Sequence, residues 1–104
     1  MLDQQPFSSA CARRLRVLAD PNRLAVLTIL LEGPKRVWEL NATLGLEQSL
    51  LSHHLRVLRH QGFVDAQRDG KAVLYSLSSR VQTPAKTGIH LGCCTLVFDN
   101  GKPM

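Results

Sequence analysis

The chain has 104 residues, of which 44% are hydrophobic and 20% are charged, a composition typical of one globular domain and not of a disordered or fibrous protein. Thirteen Lys and Arg residues oppose eight acidic ones, and the net charge of +5 favours a polyanionic partner. No apolar run approaches the ~18 residues of a membrane span, the N-terminal sequence lacks the pattern of a signal peptide, and three cysteines are too few for a disulfide framework. We therefore expect a cytoplasmic protein with no membrane partner.

The first part of the chain predicts two successive helices. Apolar residues at helical spacing place the first helix over about 7–19. Asp20 and Pro21 are residue types that favour the N-cap and the first position of a second helix. This second helix is apolar nearly all round, which indicates a buried central position, and Gly33-Pro34 ends it.

Two further helices and a hairpin follow. A short helix is expected at about 37–44, Gly45 makes a turn, and another helix runs over about 47–61. Two short runs with alternating apolar residues then flank Asp69-Gly70. An Asp-Gly pair between such runs predicts a two-residue β-hairpin.

The segment after Ser79 has no helical or strand period, and Pro84 and Gly88 interrupt it. We therefore expect a domain of residues 1–79 followed by an irregular or extended C-terminal tail of residues 80–104. Within this tail, CCTLVF is expected to form a short extended run.

The helix over 47–61 has a polar face and an apolar face on a helical wheel. The polar face carries donors, acceptors and cations, without a carboxylate that would repel phosphate groups. Its members are Gln48, Ser49, Ser52, His53, Arg56, Arg59 and His60. Such residues can contact base edges or phosphates, so the spacing predicts a helix-turn-helix, with Arg68 and Lys71 at the hairpin tip placed to contact the DNA backbone. The alternative is a solvated helix face beside an ordinary hairpin. His54 falls on the apolar face and is predicted to be a buried, hydrogen-bonded histidine.

The stretches LADPNRLAVLTILLEG and LGLEQSLLSHHLRVLRHQGFVDAQRDGKAVLYSLS resemble the ArsR/SmtB family of bacterial winged-helix repressors, over about residues 7–79. The resemblance implies a winged helix-turn-helix, mainly α with a β-hairpin wing. It also implies a homodimer that binds a twofold-symmetric, double-stranded DNA operator and releases it when an inducer binds. The DNA-binding residues implied are Gln48, Ser49, Ser52, His53 and Arg56 in the reading helix, and Arg68 and Lys71 in the wing. No enzyme is expected, since a Gly-rich phosphate loop and an HExxH motif are both absent.

The sequence departs from this family in three places. The common family metal motif has two cysteines around a Val, where this chain has Arg36-Val37-Trp38-Glu39-Leu40. The usual long C-terminal helix with zinc ligands across the dimer is missing, and His90 stands nearly alone there. Glu47 occupies the place of the usual Ser N-cap, and we expect this poorer cap to cost about 1 kcal/mol.

Cys11, Cys93 and Cys94 are the candidate ligands for an inducer. The resemblance implies that the first helix and the segment after the wing both pack at the dimer interface, so the cysteines can converge there, within one protomer or across two. Thiolates select soft ions. A set of three suits the pyramidal geometry of As(III) or Sb(III), whereas structural zinc normally takes four ligands. Adjacent strand residues point to opposite faces, so both sulfurs of the pair can meet one ion only if the chain bends, which Gly92 permits.

Other interpretations of the cysteines stay open. Cys11 shares a helical stripe with Leu15 and Leu18 and can equally be a core residue. The Cys93-Cys94 pair can be structural, or it can act as a redox sensor that forms a disulfide or reacts with persulfide. The chain can also be a soft-metal-binding module without a role on DNA, but such a module would need neither an acid-free helix face nor a basic wing.

Overall fold

The structure is a computed structural model that describes residues 6–99, so the outermost residues of both predicted parts, 1–5 and 100–104, lie outside it. The elements are α1 (Pro6–Leu18), α2 (Pro21–Leu30), β1 (Lys35–Arg36), α3 (Val37–Leu44), α4 (Gln48–His60), β2 (Val64–Asp69), β3 (Ala72–Leu77), β4 (Gly88–His90) and β5 (Thr95–Val97). The predicted fold class, mainly helical with a β-hairpin wing, is confirmed. No helix within residues 6–99 is both long enough and apolar enough to cross a membrane.

Helix α2 begins as predicted and lies at the centre of the core. The Asp20 carboxylate accepts hydrogen bonds from the backbone N–H groups of Asn22 at 2.8 Å and Arg23 at 3.1 Å, which satisfies two donors at the helix start. Helices α1, α3 and α4, strands β2, β3 and β4 and the connecting segments contribute the other buried apolar residues. The core consists of Leu18, Val26, Leu27, Leu30, Leu40, Leu51, Leu55, Leu58, Phe63, Val64, Leu77, Val81, Ile89 and Leu91.

The wing is a hairpin within an antiparallel three-stranded sheet of order β1-β3-β2. Its turn lies one residue later than predicted, because Asp69 pairs with Ala72 and leaves Gly70 and Lys71 as the loop. Gly70 has a φ of 64°, and a positive φ at the first central position is the pattern of a type II′ turn. Asp69 remains in the strand, where its carboxylate forms an ion pair with Arg36 of β1.

The segment after residue 80, expected to be irregular or extended, contains a second antiparallel pair, β4 and β5, in which Ile89 lies opposite Leu96. Val81, Ile89 and Leu91 are at most 3% exposed, so this segment extends the core that the helices form. A Cβ on Gly88 would lie 2.2 Å from the carbonyl oxygen of Leu96. The close approach of β4 to β5 therefore depends on glycine at this position.

Candidate DNA-binding face and cysteine cluster

The predicted polar face of α4 is exposed along its whole length. Gln48, Ser49, Ser52, His53, Arg56, Arg59 and His60 are all exposed. On the opposite side, Leu51, Leu55 and Leu58 are buried in the core. Leu50, in the first turn, is 39% exposed, unlike the other leucines of this helix. The helix is therefore fixed by its apolar side and presents the acid-free side to solvent.

A carboxylate caps the start of α4. Glu47 accepts a hydrogen bond from the backbone N–H of Ser49 at 3.3 Å and a second one from the Ser49 hydroxyl. The hydrogen bond from the Ser49 hydroxyl, followed by that from its backbone N–H, lowers the pKa of Glu47 below its ordinary value. Glu47 thus satisfies one backbone donor at the helix start, although glutamate is a poorer N-cap than serine. Its charge also lies beside a predicted DNA-binding residue whose hydroxyl is already engaged.

His54 is buried and hydrogen-bonded, as predicted, with 5% of its surface exposed. Its Nδ1 lies 3.3 Å from a guanidinium nitrogen of Arg23, and its Nε2 lies 4.0 Å from the Asp20 carboxylate. Arg23 also donates from Nε to the backbone carbonyl of Val17 at 2.6 Å. These contacts join the end of α1, the start of α2 and the middle of α4.

The Asp20 carboxylate in this group is held in its charged form. Burial by itself raises the pKa of Asp20, but hydrogen bonds from the backbone N–H groups of Arg23 and Asn22, together with electrostatic interactions with His54 and Arg23, lower it below its ordinary value. Asp20 therefore acts both as the cap of α2 and as the acidic partner of His54.

The wing presents two cations beside α4. Arg68 lies opposite Val73 near the end of the hairpin, and Lys71 lies in the loop. Both side chains are exposed, and neither forms an ion pair with another described residue. Arg36, by contrast, contacts Glu39 at 3.5 Å as well as Asp69, which connects the wing to the start of α3.

The three predicted thiol ligands lie together in one protomer. The sulfurs of Cys11, Cys93 and Cys94 are all within 4.8 Å of one another. We call these three residues the cysteine cluster. A disulfide joins Cys11 of α1 to Cys93, and the free Cys94 sulfur lies 3.9 Å from each of the other two. Gly92 has a φ of 89°, and this bend permits two adjacent side chains to reach the same point.

Sequence reasoning missed one residue that contacts the core beneath α1. The guanidinium carbon of Arg14 lies 4.8 Å from the ring centroid of Phe63. Its Nε is buried and has no hydrogen-bond partner among the described residues. In sequence Arg14 resembles its neighbours Arg13 and Arg16, which are exposed. Its position three residues after Cys11, on the same side of the helix, is the signal that could have identified it.

Comparison with known proteins places residues 20–66 in the family described as "Bacterial regulatory protein, arsR family". The chain is 46% identical over 76 residues to the HTH-type transcriptional regulator NmtR of Mycobacterium tuberculosis, covering 73% of this chain and 62% of that protein. It therefore spans less than two thirds of that relative's length. It is also 36% identical over 100 residues to a probable mercury resistance operon repressor of Streptomyces lividans, covering 88% of this chain and 80% of that protein.

Solved structures show the same fold. Reduced HlyU from Vibrio cholerae matches with a TM-score of 0.69 and 35% identity, covering 76% of this chain and 83% of that chain. The homodimeric winged helix-turn-helix DNA-binding domain of Mb0332 from Mycobacterium bovis also matches, with a TM-score of 0.62 and 28% identity. The match covers 68% of this chain and 66% of that chain. The relatives are regulators and not enzymes. The chain belongs to the arsR family of bacterial regulatory proteins and has its winged helix-turn-helix fold.

Proposed function

We propose that the protein is a homodimeric transcriptional repressor that releases operator DNA when arsenite or antimonite binds to the cysteine cluster. The observation that carries this proposal is the convergence of Cys11, Cys93 and Cys94 in a chain of a DNA-binding family. α1 and the C-terminal segment, which supply the three sulfurs, both pack on the core that holds α4. A ligand there can therefore influence the DNA-binding elements.

The proposed DNA contacts lie on α4 and the wing. Gln48, Ser49, Ser52, His53 and Arg56 would enter the major groove, where arginine pairs bidentately with guanine. Arg68 and Lys71 would contact phosphates beside the groove. Two copies would present two such helices to successive major grooves ~34 Å apart. The homodimeric state of the similar Mb0332 domain supports this stoichiometry.

The donor set of the cluster favours a trivalent metalloid. It consists of three sulfurs, and no histidine or carboxylate among the described residues joins it. Arsenite, As(OH)₃, would react with three thiols to form three As–S bonds, and each thiol proton would leave with a hydroxide as water. The Cys11–Cys93 disulfide must first be reduced, by a dithiol reductant that supplies two electrons and two protons and itself becomes a disulfide. Zinc prefers a fourth ligand. Similarity to a probable mercury resistance operon repressor supports a soft ion.

A second candidate signal is oxidation of the same residues, favoured by the disulfide between Cys11 and Cys93. In this function the two thiols would lose two protons and two electrons to peroxide, giving one disulfide and two waters. A persulfide RSSH would oxidise the same thiols by exchange: one cysteine takes the outer sulfur and releases RSH, and the other cysteine then forms the disulfide and releases that sulfur as hydrogen sulfide. The repressor would then respond to oxidants and not to metalloids.

Release of DNA by the reduced protein tests both candidates. A duplex enriched from a random pool serves as the operator, and its affinity is measured by fluorescence anisotropy. The protein is titrated separately with arsenite, antimonite, zinc, cadmium and peroxide, and bound ions are counted by mass spectrometry. We expect arsenite or antimonite, at one ion per protomer, to weaken binding about 150-fold, equivalent to a coupling of ~3 kcal/mol.

Variants separate the possible results. Cys93→Ser/Cys94→Ser should abolish release, whereas Thr87→Ala, an exposed change in the same segment, should retain it. Release by peroxide without release by arsenite would select the redox function. Ion binding without any duplex binding would indicate a soft-metal module. Release that persists in the double cysteine variant would exclude the cluster as the sensor.

A further inference from the structure

We infer that Arg14 is the positioning residue through which the chemical state of the cysteine cluster reaches the DNA-reading helix and the wing. The use of this coupling for gene regulation rests on the proposed function, but the contacts that carry the inference belong to the structure itself. They run from Cys11 along α1 to Arg14, and from Arg14 to Phe63.

The first step of this connection lies within α1. Arg14 follows Cys11 by three residues, and residues three apart are neighbours on one side of a helix. Cys11 forms the disulfide to Cys93, with Cys94 3.9 Å away. A bond made or broken at Cys11 therefore acts on the turn of α1 that carries Arg14.

The second step is the contact between α1 and the core. The Arg14 guanidinium lies over the Phe63 ring, 4.8 Å from its centroid, and Phe63 is fully buried. A guanidinium over an aromatic face is attracted by the ring electrons, and the attraction strengthens where water is excluded. The position of α1 is thus linked to the position of the Phe63 ring.

Phe63 in turn connects α4 to the wing. Its backbone N–H donates to the carbonyl of Leu58, in the last turn of α4, at 2.9 Å. Its carbonyl accepts from the backbone N–H of Ser78, directly after β3, at 3.0 Å. Val64, the next residue, begins β2. A displacement of Phe63 therefore acts on the reading helix and on both strands of the wing.

Arg14 also makes the present position of α1 less favourable than it would otherwise be, so that a second position of the helix is within reach. Its buried Nε has no hydrogen-bond acceptor among the described residues, and a buried donor without a partner is unfavourable. The far end of α1 is held by the hydrogen bond from Arg23 to Val17 at 2.6 Å. A chemical change at the cysteine cluster therefore displaces the turn of α1 that carries Arg14 more than it displaces the end of the helix.

The test compares the parent protein with Arg14→Met, Arg14→Lys and Arg13→Met. Methionine preserves apolar contact with the ring and removes the charge, lysine restores the charge, and Arg13 is an exposed arginine on the same helix. Each protein is prepared with the Cys11–Cys93 disulfide formed and with it reduced, as verified by mass. Hydrogen exchange of residues 58–64 and affinity for the selected duplex are measured in both states.

In the parent, we expect reduction of the disulfide to change the exchange rate of the Phe63 amide several-fold. Arg14→Met should lose this difference, while Arg14→Lys retains part of it and Arg13→Met retains all of it. The inference is overturned if the parent shows no difference or if Arg14→Met keeps it. If the exchange difference depends on Arg14 but duplex affinity is the same in the two states and is not changed by adding arsenite to the reduced protein, the inference stands and the proposed function fails.

Discussion

The guanidinium of Arg23 lies 3.3 Å from Nδ1 of the buried His54, and this contact joins the central helix α2 to α4. Because an arginine can only donate, Nδ1 is the acceptor and a neutral His54 carries its hydrogen on Nε2. That nitrogen faces the Asp20 carboxylate at 4.0 Å. The orientation of α4 therefore depends on a polar group as well as on its leucines.

Replacing His54 with leucine should destabilise the protein, although the volume is nearly kept. The change removes the acceptor for Arg23 and leaves a half-buried donor without this partner, at a cost of about 1–3 kcal/mol. The exposed neighbour gives a matched control, since His53→Leu should change stability by less than about 0.5 kcal/mol. Urea unfolding at neutral pH measures both. Equal effects of the two substitutions would show that the contact contributes nothing specific.

Asp20 should make stability depend on pH in the acid range. Its pKa is lowered in the folded protein, so its contribution is fully present above the unfolded value of about 3.9 and is lost as the pH falls through the lower folded value. Asp20→Asn should therefore unfold more readily than the parent at pH 7, and the difference should shrink at more acidic pH. Urea midpoints measured against pH test this. A difference that stays constant down to the acid limit would contradict the assignment.

Glu47→Gln should strengthen duplex binding by removing a negative charge next to Ser49. Glu47 is exposed at the start of α4, where a carboxylate would lie close to the phosphates of a bound duplex and repel them. We expect tighter binding of the selected duplex at low salt and a smaller gain at high salt, since salt screens the charge. Glu32→Gln, which removes a charge paired with Lys35, should have no such effect. Weaker binding by Glu47→Gln would contradict this prediction. It would show that the hydrogen bonds from Ser49 to Glu47 help DNA binding more than the negative charge of Glu47 opposes it.

Gly88→Ala should disrupt the C-terminal hairpin. A Cβ at this position would lie 2.2 Å from the Leu96 carbonyl oxygen, so β4 and β5 would have to separate. Cys93 and Cys94 lie in the connection between these strands and would lose their position beside Cys11. We expect slower formation of the Cys11–Cys93 disulfide and weaker arsenite binding, whereas the exposed change Thr87→Ala should alter neither. Disulfide formation at the parental rate in Gly88→Ala would contradict the role of the hairpin.

The elements that the sequence predicts correctly are those marked by capping residues or by a clear amphipathic period. Asp20 and Pro21 mark the start of α2, and the amphipathic period of α4 separates its buried leucines from its polar face. His54 is a polar residue on the apolar face of α4, and this position was sufficient to predict its burial. Local chemistry and tertiary packing agree over these residues, and for this reason sequence patterns predict them well.

The C-terminal hairpin was not predictable in the same way. Its strands have three residues each, too few to show a period of two, and Gly88 resembles an ordinary loop glycine. Its pairing depends on contacts of Val81 and Ile89 with a core formed by distant segments. The turn of the wing lies one residue later than predicted, because Asp69 pairs with Ala72 and remains in the strand, where it also contacts Arg36, a residue distant in sequence. Arg14 was missed because its spacing of three residues from Cys11, which Arg13 does not have, gains meaning only once the packing of α1 on Phe63 is known.

The salt dependence of duplex binding by the reduced protein tests the central claim most directly. If α4 and the wing bind DNA, the logarithm of affinity should fall steeply and linearly with the logarithm of salt concentration, by about 0.9 for each phosphate contact. The variant Arg68→Gln/Lys71→Gln should show a correspondingly shallower slope. A protein that binds no duplex even in dilute buffer, or a slope that is unchanged in the wing variant, would contradict the account.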